Sequence, residues 1–293
     1  MGLADWFSTF CSNIQVNNKD SISHRYQEIT KRLNKDFWNS ESDTNHSFYT
    51  GSYGRNTAIN SISDIDMIFQ LPYQVYERYN DYIGNGQSAL LQEVRSSVKT
   101  RYSVTEIGAD GQVISIPFDD GITFELVPAF VNKDKSYTYP DSNNGGQWKT
   151  INPKPEIEAI RIRNGLCNNN LVPLCRMMRA WKTQWSVPIK GLLIDTLAYQ
   201  FINTWEYKDK SYFYYDYLCR DFFKFMANQD REQEFWKAPG SGQYVYGKGL
   251  FQYKATRCYN ISLDAIKHET ANPKQEWSAK QKWREIFGTS FPN

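Results

Sequence analysis

The chain has 293 residues, 40% of them hydrophobic and 16% aromatic, and a formal charge of +2 at pH 7. Length and apolar content are enough to bury the core of one large domain or of two coupled ones. The near-neutral charge disfavours a protein whose main task is to grip long nucleic acid, because that task calls for a marked basic excess.

In chain order, residues 13–38 have Ile14, Ile22, Tyr26, Ile29, Leu33 and Phe37 near a 3.6 period and predict one long amphipathic helix. The Gly-Ser run Gly51-Ser52-Tyr53-Gly54 follows. Asp64–Leu71 then alternates as a strand ended by Pro72, with Asp64, Asp66 and Ile68 on one face and Ile65, Met67 and Phe69 on the other. A helix is predicted over 87–101. The strands 112–118 and 122–130 are joined by Asp119-Asp120-Gly121, a hairpin signal. After Asp141-Ser142-Asn143-Asn144-Gly145-Gly146 the pattern becomes helical, over about 155–168, 171–184, 190–206, 212–228, 251–269 and 273–287. The expectation is an α+β lobe over 1–150 that includes the long first helix, then a helical lobe over 151–293.

Five cysteines (Cys11, Cys167, Cys175, Cys219, Cys258) and three histidines (His24, His46, His268) are scattered, with neither zinc-ribbon spacing nor a disulfide framework. They read as free thiols in a reducing cytoplasm and ordinary histidines. No apolar run approaches a membrane span, and Met1–Trp6 lacks a signal-peptide pattern, so a cytoplasmic protein with no membrane partner is expected. The abundant Tyr and Trp read mainly as amphipathic core and interface rings. If a local basic groove exists, Arg161 and Arg163, or the helix carrying Arg176, Arg179 and Lys182, are its candidates.

The chemistry gathers around residues 51–66. A Gly-Ser turn opening a short helical segment can hold a phosphate, because its backbone N–H groups are free to point at an anion. Two carboxylates at i and i+2 of a strand project from one face and suit a divalent cation, which also needs further oxygens. Glu125 is the obvious third carboxylate, a lone charge within the apolar run Ile122-Thr123-Phe124-Glu125-Leu126-Val127. Asp119 and Asp120 are rivals by charge, although their place before Gly121 fits a turn better. A phosphate cradle beside metal-binding carboxylates points to chemistry on a nucleoside triphosphate.

The run Gly51-Ser52-Tyr53-Gly54-Arg55-Asn56-Thr57-Ala58-Ile59, with Ser63-Asp64-Ile65-Asp66-Met67, resembles the signature of polymerase-β-like nucleotidyltransferases. It is most similar to the bacterial cyclic-oligonucleotide synthases related to cyclic GMP–AMP synthase. Phe124-Glu125-Leu126-Val127-Pro128 resembles that family's third-carboxylate strand, and Trp283-Arg284-Glu285-Ile286-Phe287-Gly288 with Phe291-Pro292 resembles its ending.

The resemblance implies a mixed-sheet catalytic lobe, a helical lobe and a nucleotide cleft between them. It implies Gly51 and Ser52 at the β/γ phosphates, and Asp64, Asp66 and Glu125 holding two Mg²⁺ ions, with Mn²⁺ as a substitute. It also implies Lys182 at the donor triphosphate. The implied reaction joins nucleoside triphosphates into a cyclic di- or trinucleotide that activates a downstream effector in anti-phage defence. Three departures are visible. Glu stands where Asp is usual at position 125; Gly191 and Leu192 stand where relatives often carry Ser-Tyr; and the zinc insertion of the animal DNA sensor has no counterpart, so no DNA activator is expected.

Overall fold

The structure is a computed structural model and describes residues 2–293. In chain order its elements are α1 (Leu3–Asn13), α2 (Lys19–Trp38), β1 (Ser47–Tyr49), α3 (Gly51–Gly54), β2 (Asp64–Gln70), α4 (Tyr73–Asn80), α5 (Gly86–Arg101), β3 (Gly108–Asp110), β4 (Val113–Pro117), β5 (Thr123–Val131), β6 (Tyr137–Asp141) and β7 (Gln147–Ile151). They continue with α6 (Lys154–Leu166), α7 (Leu171–Gln184), α8 (Gly191–Thr204), α9 (Tyr215–Ala227), β8 (Phe235–Lys237), β9 (Tyr244–Tyr246), α10 (Gln252–Glu269) and α11 (Glu276–Phe287). The α+β class and the mixed sheet agree with expectation.

These elements divide into two compact units. The sheet unit comprises Asn17–Gly54 and Ile62–Lys154. The helical unit comprises the chain up to Val16, the short excursion Arg55–Ser61, and Pro155–Asn293.

In the sheet unit the strand order is β1-β2-β5-β4-β3, with β6 paired to β5 and β7 to β6. β2 and β5 run parallel at the centre, and the other pairings are antiparallel. The alternation read from the sequence explains the burial: Ile65, Met67, Phe69, Phe124 and Leu126 are fully buried with Leu90, Val94 and Val98 of α5. The predicted hairpin forms, Phe118 N donating to Ile122 O at 2.9 Å and Gly121 at φ +82 closing the turn.

The helical unit is built on one continuous apolar cluster that includes Trp6, Phe7 and Phe10 of α1, Trp181 of α7, Phe222 and Phe223 of α9, and Trp283, Phe287 and Phe291 at the C-terminus. Phe7 meets Trp283 and Phe291 edge-on at centroid distances of 5.2 and 5.3 Å, so the two ends of the chain close one core.

The first helix departs from expectation. The helix expected over 13–38 begins later, as α2 (Lys19–Trp38), and a separate, unanticipated helix α1 precedes it, with Ile14 to Asn18 between them. Trp6, Phe7, Phe10 and Cys11 form an apolar face on α1, and the polar pair Asn17-Asn18 separates it from α2. α1, α4 and the strands β1, β3 and β6 to β9 were not anticipated. Among the described residues no helix is long and apolar enough to cross a membrane, and all five cysteines are free and buried.

Candidate active site

Parallel pairing of β2 with β5 sets the register Asp64 to Thr123 and Asp66 to Glu125. Adjacent strands lie about 4.8 Å apart, so Asp66 and Glu125 stand side by side on one face, with Asp64 two residues along. Sequence alone offered three acidic positions for the third carboxylate. Asp120 is engaged elsewhere: it receives Arg25 Nη1 at 2.9 Å on both oxygens and caps Ile122 N at 3.2 Å. Asp119 lies outside the strand, exposed in the turn. The register favours Glu125.

Glu125 senses the other two carboxylates. Burial pushes the Glu125 carboxyl above its ordinary range, and the charges of Asp66 and Asp64 push it further the same way. Among the described residues no Lys or Arg forms an ion pair with Asp64 or Glu125; Asp64 accepts from Ser63 Oγ at 3.0 Å. Hard carboxylate oxygens crowded on one sheet face, without a basic side chain paired to Asp64 or Glu125, fit the donor chemistry of a divalent cation. Among the described residues, however, no three acidic, His or Cys side chains converge closely enough to hold an ion as they stand. The donor set is therefore a register of backbone positions rather than a closed cage.

The Gly-Ser turn is built against this face. Thr50 N donates to Asp66 O at 2.9 Å, and Gly54 N closes the short helix α3 on Thr50 O at 2.8 Å. Gly51 has φ +57, and a Cβ there would fall 1.7 Å from Asp66 Oδ2. Glycine is thus required twice over, for its backbone conformation and for the close approach of a carboxylate. Tyr53 braces the turn edge-on against Tyr49 at 4.8 Å, and Tyr49 stacks on Tyr26 of α2 at 4.2 Å. Gly51, Ser52, Asp64, Asp66 and Glu125 thus all fall within the sheet unit. Sequence reasoning missed the Gly51–Asp66 approach, although a Gly followed by Asp-x-Asp hinted at it.

In the helical unit, Lys182 is half-buried near the end of α7. Burial lowers its pKa, and the like charges of Arg179 and Lys248 lower it further. The other members of the suspected basic groove are engaged internally. Arg179 is buried against Asp195, Arg176 holds Asn56, Arg161 pairs with Glu158, and Arg163 contacts Tyr199. The groove reading is therefore corrected: on α7 Arg179 is committed to a buried carboxylate and Arg176 to an amide oxygen, whereas no hydrogen bond or ion pair holds the Lys182 ammonium among the described residues.

The Gly191 departure also has a local reason. Its carbonyl accepts from Arg179 Nη2 at 3.2 Å, and a Cβ there would meet that guanidinium at 3.1 Å.

Residues 1–164 match the family described as the Second Messenger Oligonucleotide or Dinucleotide Synthetase domain. The chain is 23% identical over 278 residues to a probable cyclic nucleotide synthase of Bacillus cereus, covering 83% of this chain and 81% of that protein. It is 22% identical over 258 residues to a cyclic AMP-AMP-AMP synthase of an Acinetobacter species, covering 84% and 73%. Among solved structures it superposes on Escherichia coli CdnC in a complex with a HORMA protein, with a TM-score of 0.67 at 13% identity over 99% of this chain and 98% of that one. The same fold has been captured in CdnC with ATP, at a TM-score of 0.64. On the family match over more than half its length, the chain belongs to the Second Messenger Oligonucleotide or Dinucleotide Synthetase family of bacterial nucleotidyltransferases, the cyclic-oligonucleotide synthases.

Proposed function

We propose that this enzyme joins nucleoside triphosphates, with no other acceptor, into a cyclic di- or trinucleotide signal. The observation that carries the reading is the pairing of Asp66 with Glu125 beneath a glycine turn that only a residue without Cβ can occupy. Asp64, Asp66 and Glu125 would hold two Mg²⁺ ions, for which Mn²⁺ is an acceptable substitute. When bound, such ions neutralise developing phosphate charge and lower the pKa of an attacking hydroxyl.

The remaining work falls to the chain itself. Backbone N–H groups at Gly51 and Ser52, with the Ser52 hydroxyl, bind the β/γ phosphates and orient the α-phosphorus for in-line attack. Glu125 is assigned to take the proton of the acceptor ribose hydroxyl at its carboxylate as pyrophosphate departs. Lys182 is assigned to the donor triphosphate on the resemblance of its sequence position. The linear product then rebinds for ring closure.

The relatives' names support a cyclic product, and the biological role we assign is an alarm that activates a downstream effector in anti-phage defence. The competing reading is the same chemistry on another acceptor: RNA, a protein or a small molecule. Purified protein with labelled triphosphates and Mg²⁺ alone decides between them. A phosphatase-resistant product formed without added acceptor, identified by mass spectrometry, is expected. Strict dependence on an added acceptor would select the alternative.

A further inference from the structure

Immediately after the Gly-Ser turn, three consecutive residues are each gripped by a side chain of α7 or α8. Arg55 donates from Nε to Asp195 Oδ2 at 3.0 Å and brings Nη1 to 3.6 Å from Glu156 Oε2. Asn56, in the left-handed region at φ +59, accepts from Arg176 Nη2 at 2.7 Å. Thr57 Oγ1 donates to Asp195 Oδ2 at 3.0 Å. Ala58 and Ile59 are buried, and Asn60 is tied to α1 and the residue beyond it, N to Ile14 O at 3.0 Å and Nδ2 to Asn13 O at 2.7 Å.

Asp195 is the keystone of this set. It is fully buried on α8 and also receives Arg179 Nη1 at 2.6 Å and Nη2 at 2.9 Å. Four bonds thus reach this carboxylate, three on Oδ2 and one on Oδ1. Burial pushes its pKa up, but the guanidiniums of Arg179 and Arg55 outweigh burial and leave it below the ordinary value, so it stays charged. An ion network of this kind is costly to desolvate, and an apolar cluster would join the same helices as firmly. What the ions add is direction: a fixed orientation for the residues they hold.

We propose that Asp195, with Arg176 and Arg179, acts as a positioning anchor for the segment Arg55–Ser61. That segment is one peptide bond from the phosphate turn at Gly54 and reaches Asp64 through Ile62 and Ser63. Both halves of the catalytic sequence therefore leave a segment whose backbone is fixed in the helical unit. Arg55, despite its charge and its place beside the turn, is a positioning residue and not a phosphate ligand, because its guanidinium is only 8% exposed and committed to Asp195 and Glu156. The proposal rests on reading residues 51–66 as the reacting site.

Asp195→Asn would leave two buried guanidiniums short of an anion and could fail to fold, so the test uses milder changes. Asn56→Gly keeps the left-handed backbone and removes the acceptor for Arg176. Thr57→Val removes the hydroxyl bonded to Asp195 with little change of shape. In the double variant, kcat for triphosphate consumption is expected to fall about tenfold or more while KM moves less than about threefold. Tm is expected to stay within about 3 °C of the parent. Hydrogen exchange followed by mass spectrometry is expected to show amides 51–56 exchanging about tenfold faster, and the rest of the chain unchanged.

Parental kcat with parental exchange overturns the proposal. A loss of activity that only tracks the folded fraction, with exchange faster throughout, overturns it equally. If the parent protein itself consumes no triphosphate, the catalytic reading fails, while the exchange pattern still decides whether the anchor exists.

Discussion

The tightest constraint in the site is at Gly51, and Gly51→Ala tests it. Two effects act at once. Alanine at φ +57 carries left-handed strain of about 1–2 kcal/mol. For a chain of this size that lowers Tm by a few degrees, at roughly 2–4 °C per kcal/mol. The new Cβ would also stand 1.7 Å from Asp66 Oδ2, where real Cβ contacts essentially never fall below 3.0 Å. The carboxylate or the turn must therefore retreat by more than about 1 Å, a displacement on the scale that costs about a hundredfold in rate. That is roughly 2.7 kcal/mol of activation barrier.

Gly145→Ala is the control, since Gly145 has φ +87 and nothing within 4 Å of the added Cβ. It imposes the strain without the collision. Product formation at saturating triphosphate and Mg²⁺, with thermal melts of both variants, separates the two effects. Both should lose a few degrees, and only Gly51→Ala should lose about two orders of magnitude in kcat. Near-parental kcat in Gly51→Ala, or an equal loss in Gly145→Ala, would refute the reasoning.

Glu125→Gln removes the carboxylate opposite Asp66 and is expected to abolish product with Tm held or raised, because it relieves like-charge crowding; product yield by chromatography checks it, and near-parental yield would move the third-ligand role to Asp119 or Asp120. Lys182→Ala is expected to raise KM for triphosphate about tenfold with Tm not reduced, since the lysine is crowded by Arg179 and Lys248; initial rates against triphosphate concentration decide it. Asp216, buried in the first turn of α9, has its carboxyl pushed up to about 7 by burial. Below the unfolded value near 3.8 the group is protonated in both states and stability is at its fullest. Between there and about 7 the folded state holds a proton that the unfolded state has released, so stability falls as pH rises, by at most about 4 kcal/mol. Asp216→Asn should flatten that slope and melt higher than the parent at pH 8 but not at pH 4. Parallel melting profiles across pH would contradict it.

Much of the sheet unit was legible because its signals are local. Alternation in Asp64–Leu71 and the Asp-Asp-Gly turn determine which side chains share a face before any tertiary contact forms. The pairing of β2 with β5 was not legible, since parallel register is set by packing across the sheet and leaves no turn signal between the two segments. That is why Glu125 could be ranked against Asp119 and Asp120 but not chosen on position. The start of the first predicted helix was placed too early for a related reason: Ile14 fits the apolar period of α2, but it packs with Trp6, Phe7 and Phe10 of α1 in the helical core and does not belong to α2.

The least legible feature was the role of the arginines. In a sequence, Arg55, Arg176 and Arg179 look like cations available to phosphate, because charge is visible and burial is not. The acidic partner of Arg55 and Arg179, Asp195, lies in the apolar run Leu192-Leu193-Ile194-Asp195-Thr196-Leu197, the same pattern that marked Glu125 as functional. Both carboxylates are lone charges in apolar segments, and both are explained by desolvation that something must offset. For Asp195 the compensation is internal, two guanidiniums and a hydroxyl, and the group stays below its ordinary pKa. For Glu125 no basic side chain is paired, its neighbours are acidic, and its pKa moves the other way. The opposite signs follow from the neighbours, guanidiniums at Asp195 and carboxylates at Glu125, and they are what we expect if Asp195 is structural and Glu125 is the proposed ligand-binding carboxylate.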